Sequence, residues 1–329
     1  MRRIPIVACL IANVCFAARP VIFDTDMGND IDDALALAML HALSDRGECQ
    51  LIGVTLTNAH PAAVPYIRML NRFYGRSDLP VGAAIKTLKG GAGDGYMTAA
   101  LGTAGAVNAT PAAGAVNATP AAGAVNATPA EPAPAVLRSL LSNAREKVVI
   151  VQTGFSTNLA ALLDSPGGAA LAKEKVALVV AMAGNFAGGE PEYNVRIDAA
   201  SAKAVFERWP TPIEFSGFEI GRDLLYPAAS IEHDFAYARP HPIAESYRAY
   251  SKMPYDRPTW DLTAALEAVR PEHGYFGRSE PGRVLVEANG ATRFAAGQGD
   301  RRYLRLDPSK RAEILEVLAL LASQPPARR

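Results

Sequence analysis

Cysteine is scarce in this 329-residue chain: there are three, and Cys9 and Cys15 fall within the first 17 residues. With that segment set aside only Cys49 remains, so no intrachain disulfide can staple the fold, and a lone cysteine reads as a small buried hydrophobe. A prevailing charge is also lacking, because Lys+Arg and Asp+Glu both number 33. Without a basic stripe or an RNA-binding motif, nucleic acid is not an expected partner. No apolar run reaches membrane-spanning length. Ile4 to Phe16 is apolar but too short to cross a bilayer as a mature helix. It follows Arg2 and Arg3 and ends in Cys15-Phe16-Ala17, so residues 1–17 read as a signal peptide cut before Ala18, in preference to a buried N-terminal strand. The mature chain, 18–329, is then expected to be secreted or periplasmic and free of the membrane after cleavage. Hydrophobic residues make up 49% of the sequence, ample for a sizeable core.

Strand-like and helix-like stretches alternate. Pro20 to Phe23, Leu51 to Leu56, Lys147 to Val151, Lys175 to Met182 and Pro212 to Phe215 read as strands. Residues 33–43, Val64 to Tyr74, Asn158 to Leu163 and Ala199 to Arg208 read as helices, the last capped by Asp198. This alternation predicts an α/β fold with an open, mainly parallel central sheet flanked by helices. Arg283 to Ala288, Asn289-Gly290 and Ala291 to Ala295 predict a small C-terminal β-hairpin. Asp307-Pro308 opens a last helix with a cap and a first-position proline.

Residues 104–112, 113–121 and 122–130 are three copies of one nonapeptide, Ala-Gly-Ala-Val-Asn-Ala-Thr-Pro-Ala. A repeat so rich in Ala, Gly, Pro and Thr builds no core and reads as a flexible low-complexity insertion at 104–130. Repeat expansion accounts for it without a function. Asn108, Asn117 and Asn126 lie in glycosylation acceptors that matter only in a host that uses them.

The chemistry concentrates in Phe23-Asp24-Thr25-Asp26-Met27-Gly28-Asn29-Asp30-Ile31-Asp32-Asp33-Ala34. Five carboxylates fall within ten residues, between a strand and a helix. In an open α/β sheet the carboxyl ends of strands are where ligands bind. A helix N-terminus favours one or two acids, as an ordinary cap would. Five would repel strongly unless a cation lay among them, and oxygen-only ligands favour calcium or magnesium. An EF-hand reading is poor, because Gly28 stands fifth, where a ligand belongs, and Leu35 stands twelfth, where a bidentate Glu belongs. A haloacid-dehalogenase-type phosphatase also places Asp-x-Asp after a first strand, but it wants Thr or Val at Gly28, and no downstream lysine with paired acids completes it.

The segment resembles the N-terminal signature of the nucleoside hydrolase family, roughly Asp-Thr-Asp-x-Gly-x-Asp-Asp-Ala, with two extra residues before Asp32-Asp33-Ala34. The likeness continues along most of the chain. Gly53-Val54-Thr55 to Asn58 is similar to the family's second strand, and residues 71–82 to its next helix and strand. Gln152-Thr153-Gly154 through Ala160 is similar to the motif whose Thr carbonyl ligates metal. Met182 to Asn185 and Pro191 to Asn194 resemble the sugar-binding segment, and Trp260-Asp261 the segment with the last metal ligand. Singly, Asn194 reads as a turn residue, Asp261 as a helix cap and Glu192 as a solvated acid; their order lifts them above those readings.

The resemblance implies a nucleoside-hydrolase-like, Rossmann-like core and hydrolysis of the N-glycosidic bond of ribonucleosides. It implies Ca²⁺ held by Asp26, Asp33, Asp261 and the Thr153 carbonyl, with Asp26 as general base. Asp32, Asn58, Asn185, Glu192 and Asn194 would bind ribose, and Trp260 the base. Asp24 and Asp30 would support these from behind, with the division of roles between Asp30 and Asp32 open. Trp260 stands where some members carry a proton-donating His. Gly82 to Glu131 occupies the place of a closing loop, with residues 90–96 as its flexible element. The expected partner is a small nucleoside; family members commonly form homo-oligomers. The phosphatase and a non-catalytic secreted calcium-dependent nucleoside or sugar binder stay as alternatives.

Overall fold

The computed structural model describes residues 18–88, 95–109 and 129–327. The expected signal peptide and most of the repeat lie outside these residues. The strands are β1 (Arg19–Thr25), β2 (Cys49–Leu56), β3 (Val81–Gly82), β4 (Val148–Gln152), β5 (Val176–Met182), β6 (Ile213–Ser216), β7 (Leu225–Tyr226), β8 (Arg257–Pro258), β9 (Gly277–Arg278), β10 (Gly282–Val286), β11 (Thr292–Ala296) and β12 (Arg301–Arg305). The helices are α1 (Asp32–Asp45), α2 (Ala63–Phe73), α3 (Gly95–Ala109), α4 (Ala133–Asn143), α5 (Thr157–Asp164), α6 (Gly168–Lys175), α7 (Tyr193–Ile197), α8 (Ala199–Arg208), α9 (Phe218–Arg222), α10 (Ala228–His233), α11 (Pro242–Tyr250), α12 (Trp260–Val269) and α13 (Arg311–Ala322). None of the described helices is long and apolar enough to cross a membrane.

The main sheet runs β11-β10-β12-β6-β5-β4-β1-β2-β3, with β9 paired to β12. Strands β1 to β6 are all parallel and ordered 3-2-1-4-5-6. The chain moves from β1 outward to β3, then returns to the other side of β1 as β4. The crevice between β1 and β4 is therefore the topological switch point, where such sheets bind ligands beyond their carboxyl ends.

Both faces of this sheet are covered, which is why its strands read as unbroken apolar runs. Val21, Phe23, Val149 and Val151 pack into one cluster with α1, α2, α11, α12 and α13, while Ile22, Val148 and Ile150 pack into the other with α4, α5 and α8. The two-residue period of the strand divides neighbouring side chains between these layers.

The predicted hairpin is present, and it is continuous with the main sheet: β10 pairs antiparallel with β11 and β12, and β12 pairs parallel with β6. Its turn closes between Glu287 and Ala291, with Gly290 at φ +85°. Asp198 caps α8 as predicted, accepting from the Ser201 N–H at 3.2 Å. Asp307 accepts from the Ser309 N–H and starts a 3₁₀ turn that runs into α13.

Of the expected closing element and insertion, residues 89–94 and 110–128 lie outside the described residues, and the part between them is helical. Gly95 and Tyr96 open α3, and Ala104 to Ala109, the start of the first repeat copy, continue it. Alanine-rich sequence favours a helix, and Pro111 stops one just before itself. Tyr96 is buried and donates its hydroxyl to the Asp30 carbonyl at 2.7 Å, so this helix is anchored on the acidic loop.

Candidate active site

The acidic segment turns at the carboxyl end of β1, and its residues take different depths. Asp24, still in the strand, accepts from Thr55 Oγ1 on β2 at 2.6 Å and from Asn158 Nδ2 on α5 at 2.8 Å. Its other oxygen is buried without a partner. Burial pushes this carboxyl up to about 7 against the downward pull of those two bonds. It ties β1, β2 and α5 together beneath the site.

Asp26 leaves the strand and lines a cavity of about 340 Å³ with Asp30, Asp32, Asp33, Thr153, Glu192, Asn194, Trp260 and Asp261. A cavity of this size suits a small molecule. Asp32 and Asp33 occupy the first turn of α1, and Asp261 the first turn of α12. These two helices pack on the same face of the sheet, so their N-termini meet at the crevice. Carboxylate oxygens of Asp32, Asp33 and Asp261 lie within 4.8 Å of one another, all buried. The Asp261 N–H donates to Asp32 Oδ2 at 3.1 Å across 229 residues of sequence. Asp33 accepts from the Thr25 hydroxyl and, at 3.5 Å, from the Thr153 hydroxyl.

Burial and mutual repulsion raise all of these carboxyls: Asp33 to about 7, and Asp26, Asp32 and Asp261 well above the usual range. Asp26 keeps one oxygen buried without a partner. Buried like charges this close hold protons or share a cation. The donors are hard oxygens from three separate elements, and they fit a divalent cation of the calcium or magnesium kind. The expected ligand set included Asp26 and gave Asp32 to ribose. The structure groups Asp32 with Asp33 and Asp261 and sets Asp26 beside them in the same cavity.

Two close approaches fix this geometry. The Thr153 N–H donates to the Asp24 carbonyl at 2.7 Å, joining β4 to β1. Beside it, a Cβ on Gly154 would lie 2.5 Å from the Asp26 nitrogen and 2.2 Å from Thr57 Oγ1, so only glycine lets these loops touch. The Thr153 carbonyl already accepts from Asn194 Nδ2 at 2.7 Å, which leaves one lone pair.

Glu192 is buried rather than solvated. Its carboxylate accepts from the N–H groups of Gly184, Asn194 and Val195, capping α7 and closing the sugar-segment loop on itself. Burial raises it to about 7, although those N–H bonds favour the charged form. Asn194 is held by Thr153 and by the Met182 carbonyl at 3.2 Å.

Two expected residues stand off the cavity, and a third lines it in another role. Asn58 does not line the cavity; its Oδ1 accepts from the Leu88 N–H at 2.8 Å and holds the segment after β3. Asn185 is also off the cavity, with its N–H on Thr292 Oγ1 of β11 and its Nδ2 on the Glu190 carbonyl. Asp30 lines the cavity as the partner of Arg257, which binds it through Nε at 2.9 Å and through Nη2.

Asn29, Met182 and Tyr193, from segments already singled out in the sequence, also line the cavity, and so do Arg257, Tyr250 and Phe218, which were not foreseen. Phe218 and Trp260 stack at 5.5 Å, and the Arg257 guanidinium lies over Trp260 and Tyr250 at 5.4 and 5.1 Å. Asp30, half-buried two residues before Asp32, needs a counter-charge beside so many carboxylates, but nothing in the sequence says which arginine supplies it.

Fold and site together define a doubly wound α/β enzyme whose acidic cavity, at the switch point of its sheet, could hold a hard cation. More narrowly, the chain belongs to the inosine-uridine preferring nucleoside hydrolase family, whose profile matches residues 21–317. Members are glycosidases that cleave N-ribosyl bonds and depend on a metal. Among solved structures, an inosine-uridine preferring nucleoside hydrolase from Bacillus anthracis is similar at 19% identity and TM-score 0.67, covering 93% of this chain and 99% of that one. A plant nucleoside hydrolase is similar at 22% identity and TM-score 0.65 over the same shares. A purine-preferring ribonucleoside hydrolase from Gardnerella vaginalis is similar at 17% identity and TM-score 0.65, again over 93% and 99%. No curated protein matches by sequence.

Proposed function

We propose that this chain hydrolyses the N-glycosidic bond of ribonucleosides with Ca²⁺ as its resident cation. The observation that carries this reading is the meeting of Asp32, Asp33 and Asp261 from two distant helix starts, with oxygens within 4.8 Å. Asp26, Asp33, Asp261 and the Thr153 carbonyl would hold the cation, with Asp32 beside them for a ribose hydroxyl. Calcium takes 6–8 oxygen ligands, more than these would supply, which would leave positions for sugar hydroxyls and water. When bound, such a cation orients water and the ribose diol and makes the water more acidic.

Asp26 is the general base. Its buried Oδ2 has no partner and is free to accept a proton from water as the water attacks the anomeric carbon. Glu192 and Asn194, fixed by backbone bonds, hold the sugar against displacement as the ring gains oxocarbenium character. Asp24 acts from beneath by fixing the strand end that carries Asp26. Trp260 offers its ring face to the base.

A product assay on a panel of nucleosides tests this. Free base and ribose should appear, a chelator should stop the reaction, and Ca²⁺ should restore it more fully than Mg²⁺. Absence of base release from every nucleoside, or turnover undiminished by chelation, would overturn the proposal. Phosphate release from a monoester instead would point to the phosphatase. N-terminal sequencing of secreted protein, expected to begin at Ala18, tests export.

A further inference from the structure

The departing base must carry away the electrons of the broken bond, and the cavity offers no obvious acid for it. No histidine lines it among the described residues. Trp260 has one polar hydrogen, and that Nε1–H is committed to the Phe218 carbonyl at 2.9 Å. Of the cavity carboxyls, Asp26, Asp32, Asp33 and Asp261 sit around the proposed cation, Glu192 is held by three backbone N–H groups and Asp30 is paired with Arg257, while burial raises the lining hydroxyls of Tyr193 and Tyr250 above the usual phenol range. One lining side chain is cationic among those described: Arg257.

Arg257 is oriented for use. Asp30 takes Nε and Nη2 on one edge of the guanidinium, and Nη1 makes no hydrogen bond to any described residue. The guanidinium carbon lies over the rings of Tyr250 and Trp260, 5.1 and 5.4 Å from their centroids. The guanidinium thereby joins the aromatic wall built by Phe218 and Trp260, where a flat base would lie. An arginine keeps its charge at any working pH and only donates hydrogen bonds.

Resting on the proposed hydrolysis, we infer that Arg257 is a catalytic residue that stabilises the leaving base as an anion. The bond between the anomeric carbon and the base nitrogen breaks with its electron pair passing to the base. The water oxygen bonds to the anomeric carbon, and its proton goes to Asp26. The negative charge spreading over the base is met by the free edge of Arg257, and the base takes a proton from solvent after release. Asp30 is a positioning residue that keeps this guanidinium off the neighbouring carboxylates. A preorganised donor facing developing charge is the arrangement that accelerates such steps.

The test compares inosine with 4-nitrophenyl ribofuranoside, whose leaving group is already a stable anion and needs little help. Arg257→Met should lower kcat on inosine by about a hundredfold, the usual effect of removing one such donor. The fall on the aryl riboside should be at least about tenfold smaller, because the missing interaction forms only in the transition state of the harder leaving group. Arg257→Lys keeps the charge and should retain more inosine turnover than Met; if the Met variant does not fold, the Lys variant's unequal losses on the two substrates decide the matter. Asp30→Asn should show the same selective loss to a smaller degree. Equal losses on both substrates would assign Arg257 a structural role and overturn the inference, as would unchanged inosine turnover. A wild-type protein that cleaves neither substrate would instead overturn the proposed hydrolysis and the inference with it.

Discussion

Gly154→Ala places one methyl group where β4 meets the turn after β1. The new Cβ would stand 2.2 Å from Thr57 Oγ1, 2.5 Å from the Asp26 nitrogen and 2.8 Å from the Thr25 carbonyl carbon. Ordinary contacts between such atoms are near 3.5 Å, so the backbone must yield by about an ångström. Two of the three obstacles are main chain and have no rotamer to change. The hydroxyl of Thr57 is engaged as well, accepting from the Phe155 N–H at 3.0 Å and bonding the Thr25 carbonyl at 3.3 Å. Overpacking of this sort costs about 1–3 kcal/mol of stability. The larger effect is on chemistry, because an ångström's displacement of a catalytic group costs about a hundredfold in rate. Urea midpoints and kcat/KM on inosine measure the two. The stability loss should be modest and the activity loss severe. A variant with wild-type kcat/KM would refute the reasoning, since it would mean that Asp26 tolerates the shift or is not the base.

Asp261→Asn should weaken Ca²⁺ binding by at least about tenfold in a calorimetric titration, since one charged ligand is gone. The same change relieves repulsion among buried carboxyls, so the cation-free protein should melt no lower than wild type; unchanged affinity would remove Asp261 from the site. His241 supplies a pH test remote from the cavity. Burial depresses it from 6.5 to about 3, and its Nδ1 accepts from the Ile243 N–H at the start of α11, a bond that protonation would break. Below pH 6.5 the unfolded chain therefore binds a proton that the native chain refuses, and stability falls as pH falls, by about 2 kcal/mol at pH 5. His241→Gln should flatten the acid side of the stability curve relative to wild type, and parallel curves would rule this out.

The sheet was legible because parallel strands covered on both faces must be apolar throughout, as in Val148–Gln152 and Val176–Met182. The acidic turn was legible because no cap needs five carboxylates. Asp261 needed the family likeness, since one acid at a helix start says nothing by itself. Arg257 was out of reach: its meaning depends on Asp30, 227 positions away, and on rings from other elements. Asn58 and Asn185 had the right place in the sequence, but Asn58 Oδ1 accepts from the Leu88 N–H and Asn185 Nδ2 donates to the Glu190 carbonyl, away from the cavity. The helix running into the repeat was hidden by composition. Glycine and proline suggested looseness, while the alanines before Pro111 favoured a helix that Tyr96 anchors on the Asp30 carbonyl.

The hairpin near the C-terminus has a bearing on how the enzyme matures. Thr292 of β11 receives the Asn185 N–H at 3.0 Å, and a Cβ on Gly290 would lie 2.5 Å from the Arg196 Cα. The loop that presents Glu192 and Asn194 is thus propped from behind by almost the last strands to be synthesised. A nascent chain could lay down β1 to β6 and fold much of the sheet, yet the loop carrying Glu192 and Asn194 would have no backing until residue 292 had emerged. Asp32, Asp33 and Asp261 all precede the hairpin, so a chain truncated ahead of it would keep those carboxylates and lose the support behind Asn185 and Arg196.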